Sequence, residues 1–150
     1  MKSSYLLFVL ADRIFGVELT GAIEILPWRP TRRVPLSYSF VEGLLDYRGT
    51  IYPVHDLARR LGLGRPGPIG FTAGAREPAS GGRSIILLEE SGAPFGIVVD
   101  SVMRMTSLEG PEAGAPEKAQ GIDPKYVKGF SYDEDREIMI LDFERLLHAD

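Results

Sequence analysis

The chain has 150 residues, 17 Lys+Arg against 21 Asp+Glu, a formal charge of −4, two histidines and no cysteine. Disulfide frameworks, zinc fingers, thiolate nucleophiles and iron–sulfur clusters are therefore excluded, and the acidic balance disfavours general binding to nucleic acid or an anionic membrane. At 44% hydrophobic and 25% charged residues, the composition is that of a globular chain long enough to bury one good core.

The first apolar stretch, Tyr5 to Ala11, follows Lys2 and is ended by Asp12 and Arg13 with no small-residue cleavage pattern. It is expected to be a buried strand entering a hairpin, not a secretory signal. Nothing nears the roughly 18 apolar residues of a membrane span, so a soluble, cytoplasmic protein without direct membrane insertion is expected. Ile14 to Leu19 forms the partner strand, in which Phe15, Val17 and Leu19 alternate with Gly16 and Glu18. Trp28-Arg29-Pro30-Thr31-Arg32-Arg33 comes next. Arginines beside an aromatic suit phosphates and stacked bases, which keeps a single-stranded nucleic-acid-binding barrel as an alternative. The patch is short and the chain acidic, so an exposed basic loop or part of a protein interface is the favoured reading.

Val41 to Tyr47 and Thr50 to Val54 pair around Arg48-Gly49, and Asp56 is placed to cap a short helix through Leu61. Gly62 to Gly82 holds seven Gly and three Pro in 21 residues and reads as a long loop. It contains a literal G-x-G-x-x-G from Gly62 to Gly67. That match follows a helix and carries Pro66 and Pro68, so it is rejected as a dinucleotide site. Ser84 to Leu88 and Pro94 to Val99 make another hairpin around Glu90-Ser91-Gly92. Glu109 to Pro124 reads as a second loop. Val127 to Tyr132 and Ile138 to Leu141 pair around Asp133-Glu134-Asp135, and Asp142 is placed to cap a final helix through Leu147.

The stretches 1–63 and 83–150, joined by the Gly/Pro-rich loop 64–82, resemble each other. A shift of 80 lays Tyr5-Leu6-Leu7-Phe8 on Ile85-Ile86-Leu87-Leu88 and Phe15-Gly16-Val17 on Phe95-Gly96-Ile97. A shift of 86 lays Val41-Glu42-Gly43-Leu44 on Val127-Lys128-Gly129-Phe130. It also lays Val54, Asp56, Leu57, Arg59 and Leu61 on Ile140, Asp142, Phe143, Arg145 and Leu147. Strand–turn–strand–helix units look alike in general, but the shared order favours a duplication. Two small barrels, packed into one domain over 1–150, are the expected result.

Little of this chain suits bond chemistry. His55 lies at a strand-to-helix junction and His148 near the last residue, with no third ligand at metal spacing. Glu89-Glu90 and Asp133-Glu134-Asp135 fall at turns, where solvated charges are expected in place of a converging carboxylate pair. No enzyme activity, cofactor or metal is expected.

Phe40 to Leu57 (FVEGLLDYRGTIYPVHDL) resembles the signature of the CheW family of chemotaxis coupling proteins, F-h-x-G-h-h-N-h-R-G-x-h-h-P-h-h-D-L, where h is apolar. Phe15-Gly16-Val17, Ile23-Glu24-Ile25-Leu26 with Val34-Pro35, Phe95 to Val102, Val127 to Phe130 and Ile138 to Asp142 are similar to the family's other segments. Asp46 stands where the family usually has Asn, and His55 where an aliphatic residue is common. The resemblance implies an all-β protein with short helices, built as two packed five-stranded SH3-like barrels. It implies a non-catalytic adaptor coupling the signalling tips of chemoreceptors to the regulatory domain of the histidine kinase CheA, itself of that fold. Such an adaptor is recruited to membrane receptor arrays through its partners. A scaffold for a chemosensory pathway unconnected to motility is the related alternative. By resemblance the receptor hairpin docks in a groove between the barrels, at positions matching Ala22, Glu24, Gly43, Arg48 and Gly129. Kinase contacts fall on barrel ends without assigned residues. For Gly43 and Gly129, a bulge or turn explains the glycine as well as partner approach does. For Arg48, an internal hydrogen bond stands level with a partner carboxylate.

Overall fold

The computed structural model describes residues 2–19, 23–35, 40–63, 82–112 and 121–147. Ala22, most of the Gly/Pro-rich loop and the G-x-G-x-x-G match within it, part of the second loop, and His148 lie outside the described residues.

Ten strands run in the order β1 (Lys2–Leu10), β2 (Arg13–Glu18), β3 (Glu24–Pro27), β4 (Val41–Tyr47), β5 (Thr50–Asp56), β6 (Ser84–Glu90), β7 (Ala93–Val99), β8 (Ser101–Glu109), β9 (Val127–Asp133) and β10 (Arg136–Leu141). Helix α1 (Leu57–Arg60) follows β5, and α2 (Phe143–Leu147) follows β10. They form two five-stranded sheets, ordered β8-β1-β2-β10-β9 and β3-β6-β7-β5-β4. Each sheet curls until its outer strands are linked by a short crossing segment. Arg32 bridges Leu44 in one, and Glu112 bridges Phe130 in the other. We call the closed sheets barrel A (with β1) and barrel B (with β3).

The duplication extends to the registers. Gly16 faces Ile140 across the parallel β2/β10 pair, and Gly96 faces Val54 across β7/β5. A Cβ on Gly16 would meet Ile140, Ile138 and Leu7, and one on Gly96 would meet Leu87, Val54 and Ile85. The four hairpin turns put Ala11-Asp12, Arg48-Gly49, Ser91-Gly92 and Glu134-Asp135 at positive φ, as two-residue turns matched to strand twist require.

The sequence halves are not the barrels. Barrel A takes β1 and β2 from the first repeat and β8 to β10 from the second; barrel B takes the remainder. Each repeat lends its first hairpin to the other repeat's last three strands. A repeat in sequence shows which elements are equivalent, not with whom they pair, so this exchange could not be read from the shift.

The exchange explains the continuous apolar runs. On β1, Tyr5 and Leu7 face the interior of barrel A with Leu108, Ile138 and Ile140. Leu6, Phe8 and Leu10 face a larger core between the barrels with Phe15, Ile86, Leu88, Phe95 and Ile97. Ile85 and Leu87 turn into barrel B with Leu26, Leu45, Val54 and Val98. Strands buried on both faces lose the polar alternation of a one-sided sheet. Asp56 and Asp142 cap the two helices, accepting from the Arg59 and Arg145 backbone N–H groups at 3.4 and 3.2 Å.

Candidate functional site

The β4–β5 hairpin, β3 and the β6–β7 hairpin converge at one end of barrel B around a groove of about 300 Å³. Glu24 and Arg48 are on its wall with Tyr47, Tyr52, Leu87 and Glu89. Tyr47 and Tyr52 pack on the barrel core. The Arg48 guanidinium stands 5.1 Å from the Tyr47 ring centroid, within cation–π range. Arg48 itself is exposed at φ 54° in the turn. Two carboxylates, Glu24 and Glu89, one arginine and two tyrosines stand around an apolar floor, so the groove offers charged groups of both signs. The sequence pointed to Glu24 and Arg48; the tyrosines were legible only as strand residues.

The other expected site residues sit elsewhere. Gly43 lies under the crossing segment of barrel B, where a Cβ would come within 2.4 Å of Thr31 Oγ1 and 2.5 Å of the Arg32 carbonyl oxygen. Gly129 lies under the matching segment of barrel A, 2.8 Å from the Glu112 carbonyl oxygen and Pro111 Cβ by the same construction. Both flank bulges, because Val41/Gly43 and Ile140/Leu141 mark register shifts in their pairs. Their bare backbones are thus occupied by the protein's own chain. Ala22 is outside the described residues.

Among the described residues no three His, Asp or Glu side chains converge as a metal site. Asp133 pairs with Arg104, and Glu90 accepts from Ser91 Oγ at 3.4 Å. Trp28 is half-buried against the barrel B core, and the Arg83 guanidinium lies 5.8 Å from its ring centroid. No helix among the described residues is long and apolar enough to cross a membrane.

A second polar constellation bridges the barrels. Arg60, the last residue of α1, donates from Nε to the Leu146 carbonyl of α2 at 3.0 Å. Its guanidinium lies 4.5 Å from the Phe40 centroid and 4.9 Å from Tyr126. Phe40 and Tyr126 are repeat counterparts, and their carbonyls accept from Asp56 N and Asp142 N at 2.7 and 2.8 Å. Sequence reasoning passed over Arg60, although Leu146 at the counterpart position marked it as the odd member.

His55 packs on Phe40 at 5.5 Å. Burial first, and the Arg60 charge second, hold its pKa below 6.5. The unfolded chain therefore takes up a proton near pH 6.5 before the folded one does, and stability falls as pH drops through that window. His55→Leu is expected to flatten the acid limb, checked by urea midpoints at about pH 7.5 and pH 5. An unchanged pH slope would remove His55 as its cause.

Residues 4–150 match the family described as CheW-like domain. The chain is 25% identical over 143 residues to the chemotaxis protein CheW of Treponema pallidum, covering 95% of this chain and 80% of that protein. It is 26% identical over 149 residues to the chemotaxis protein CheW of Klebsiella aerogenes, covering 97% and 82%. Its fold is similar to the crystal structure of the scaffolding protein TtCheW from Thermoanaerobacter tengcongensis. The TM-score is 0.78 at 25% identity, over 100% of this chain and 95% of that one.

Proposed function

The chain belongs to the CheW-like family, and from that premise we propose that it is a non-catalytic chemotaxis adaptor coupling chemoreceptors to the regulatory domain of the histidine kinase CheA. The observation that carries this is the whole-chain agreement with a scaffolding protein of that family. An adaptor that holds two partners at once raises their effective concentration for each other and needs surfaces, not nucleophiles. The interleaved strands support the reading of residues 1–150 as one domain. The protein works in the cytoplasm and reaches membrane receptor arrays through its partners.

Within this reading, the receptor segment docks at the barrel B groove, with Glu24 and Arg48 as its charged contacts. The groove's apolar floor and its charged groups of both signs suit a helical hairpin that presents both apolar and charged side chains. Gly43 and Gly129 act through the crossings they permit. Titration of the chain with purified kinase regulatory domain and with a receptor signalling fragment tests the coupling; binding to neither would sink it.

Arg48→Glu tests the groove. The counterpart position in barrel A already holds Glu134 at φ 53°, so the turn accepts glutamate. The expected result is an unchanged thermal midpoint with receptor-fragment affinity lowered about tenfold or more. A large fall in midpoint would instead make Arg48 structural.

A further inference from the structure

We propose that the receptor contact continues beyond the groove onto an arginine ledge along β4, formed by Arg29, Arg32 and Arg33 with Arg48, and that this ledge takes a carboxylate-bearing face of the receptor segment. The proposal rests on the coupling function argued above and adds to it a surface and the chemistry of its partner.

The segment after β3 runs antiparallel along the edge of β4. Arg32 and Leu44 exchange both backbone hydrogen bonds at 2.8 Å. Three residues back on one strand and three forward on the other, Arg29 lies 5.8 Å from the Tyr47 ring that Arg48 approaches from the turn. Arg29, Arg32, Arg33 and Arg48 are exposed, and none forms an ion pair among the described residues. Asp46, next to Tyr47 in β4, points away from the Tyr47 face and onto the face of Leu44 and its bridge partner Arg32, with which it forms no ion pair among the described residues. Where like charges outnumber the opposite charges beside them they repel one another, and an anionic partner relieves that repulsion.

The second repeat shows that the fold does not ask for arginine here. Glu112 bridges Phe130 as Arg32 bridges Leu44. Glu134 occupies the turn position of Arg48, and Glu109 falls on Arg29 by the same shift of 80. Three equivalent positions carry opposite charge in the two barrels. Protecting an open strand edge from pairing is served by either sign, so that role leaves the choice of sign unexplained. Inverted edges let an acidic face bind barrel B while barrel A repels it, which fixes the orientation of the partner. Guanidinium groups stacked on tyrosine are held in place while still offering planar forks for carboxylates. A macromolecule that stacks bases is less well served, because Trp28 is half-buried against the core with the Arg83 guanidinium beside its ring.

The test is a titration of the full chain with a purified receptor signalling fragment at low and high salt, with the kinase regulatory domain as a second ligand. Arg29→Glu/Arg32→Glu should lower receptor affinity about tenfold or more and flatten its salt dependence, while kinase-domain binding and the thermal midpoint hold. Glu112→Lys, on the opposite barrel, should not weaken receptor binding. Unchanged receptor affinity in the double variant overturns the ledge and leaves the coupling function standing. Loss of kinase-domain binding alone also overturns it. If the wild type binds neither partner, the coupling function fails, and an oligoglutamate peptide decides the ledge: binding lost in the double variant sustains it, and no binding overturns it. Salt-sensitive self-association, or single-stranded DNA binding, that the double variant abolishes would assign the arginines to a second copy or to nucleic acid and overturn the proposal.

Discussion

Gly43→Ala is expected to destabilise the protein by about 2–4 kcal/mol, from overpacking of about 1–3 kcal/mol and the weakening of adjacent hydrogen bonds at about 1 kcal/mol each. The added methyl would fall 2.4 Å from Thr31 Oγ1 and 2.5 Å from the Arg32 carbonyl oxygen. That carbonyl is not free to retreat, because it accepts from Leu44 N in the bridge that closes barrel B. Opening the bridge moves the segment that carries Arg29 and Arg32. For a domain of this size the fall in thermal midpoint is on the order of 5–12 °C.

Three further glycines grade the effect. Gly129→Ala meets the Glu112 carbonyl and Pro111 at 2.8 Å and should cost somewhat less than Gly43→Ala. Gly16→Ala meets only side-chain ends, at 3.0 to 3.3 Å, which give way by small rotations. Gly49→Ala has nothing within 4 Å, so its cost is the positive φ of 84° alone, about 1–2 kcal/mol. Thermal or urea unfolding of the four variants measures the order. A Gly43→Ala midpoint no lower than that of Gly49→Ala would refute the crossing argument. Receptor affinity of the folded Gly43→Ala protein, per active molecule, separates a contact role from a structural one.

The hairpins were legible because each combines a long apolar run with a two-residue turn, and the helices because Asp56 and Asp142 precede apolar faces at matching positions. Strand β8 was not. It lies at a sheet edge with most of its residues exposed or half-buried, and the alternation of Met103, Arg104, Met105 and Thr106 is short, broken by Val102 before it and Ser107 after it. β3 has four residues and ends in Pro27, too short for a pattern of its own. The exchange of hairpins between repeats was hidden for a different reason: Gly16 would make room for an aliphatic residue from either repeat. In the site, Arg48 and Glu24 came from family resemblance, and the groove that unites them came from barrel closure, a non-local event. Arg60 left a trace in the sequence as the charged residue opposite Leu146, but its partners lie on four separate segments.

Arg60→Leu, which copies the residue at the repeat counterpart, is the second large effect expected, at about 2–4 kcal/mol. The two ring contacts contribute about 0.5–2 kcal/mol each and the charge-assisted bond to Leu146 about 1.5–3 kcal/mol. Against these stands a cost already present, since Arg60 Nη2 is buried without a hydrogen-bond partner among the described residues, and leucine removes that cost while adding apolar burial. The net loss is therefore smaller than the sum of the contacts. Arg60→Lys should recover little of it, because an ammonium lacks the flat face that lies against both Phe40 and Tyr126. A merely structural gap would lower the melting point and nothing else. Here a second readout follows, because the Arg60 charge is one of the two causes depressing His55. The His55 pKa, followed by its ring proton shifts, should rise in Arg60→Leu yet stay below that of an exposed histidine, since burial persists. If the midpoint falls with no movement of the His55 titration, the guanidinium does not face the imidazole and the link between the barrels runs through apolar packing alone.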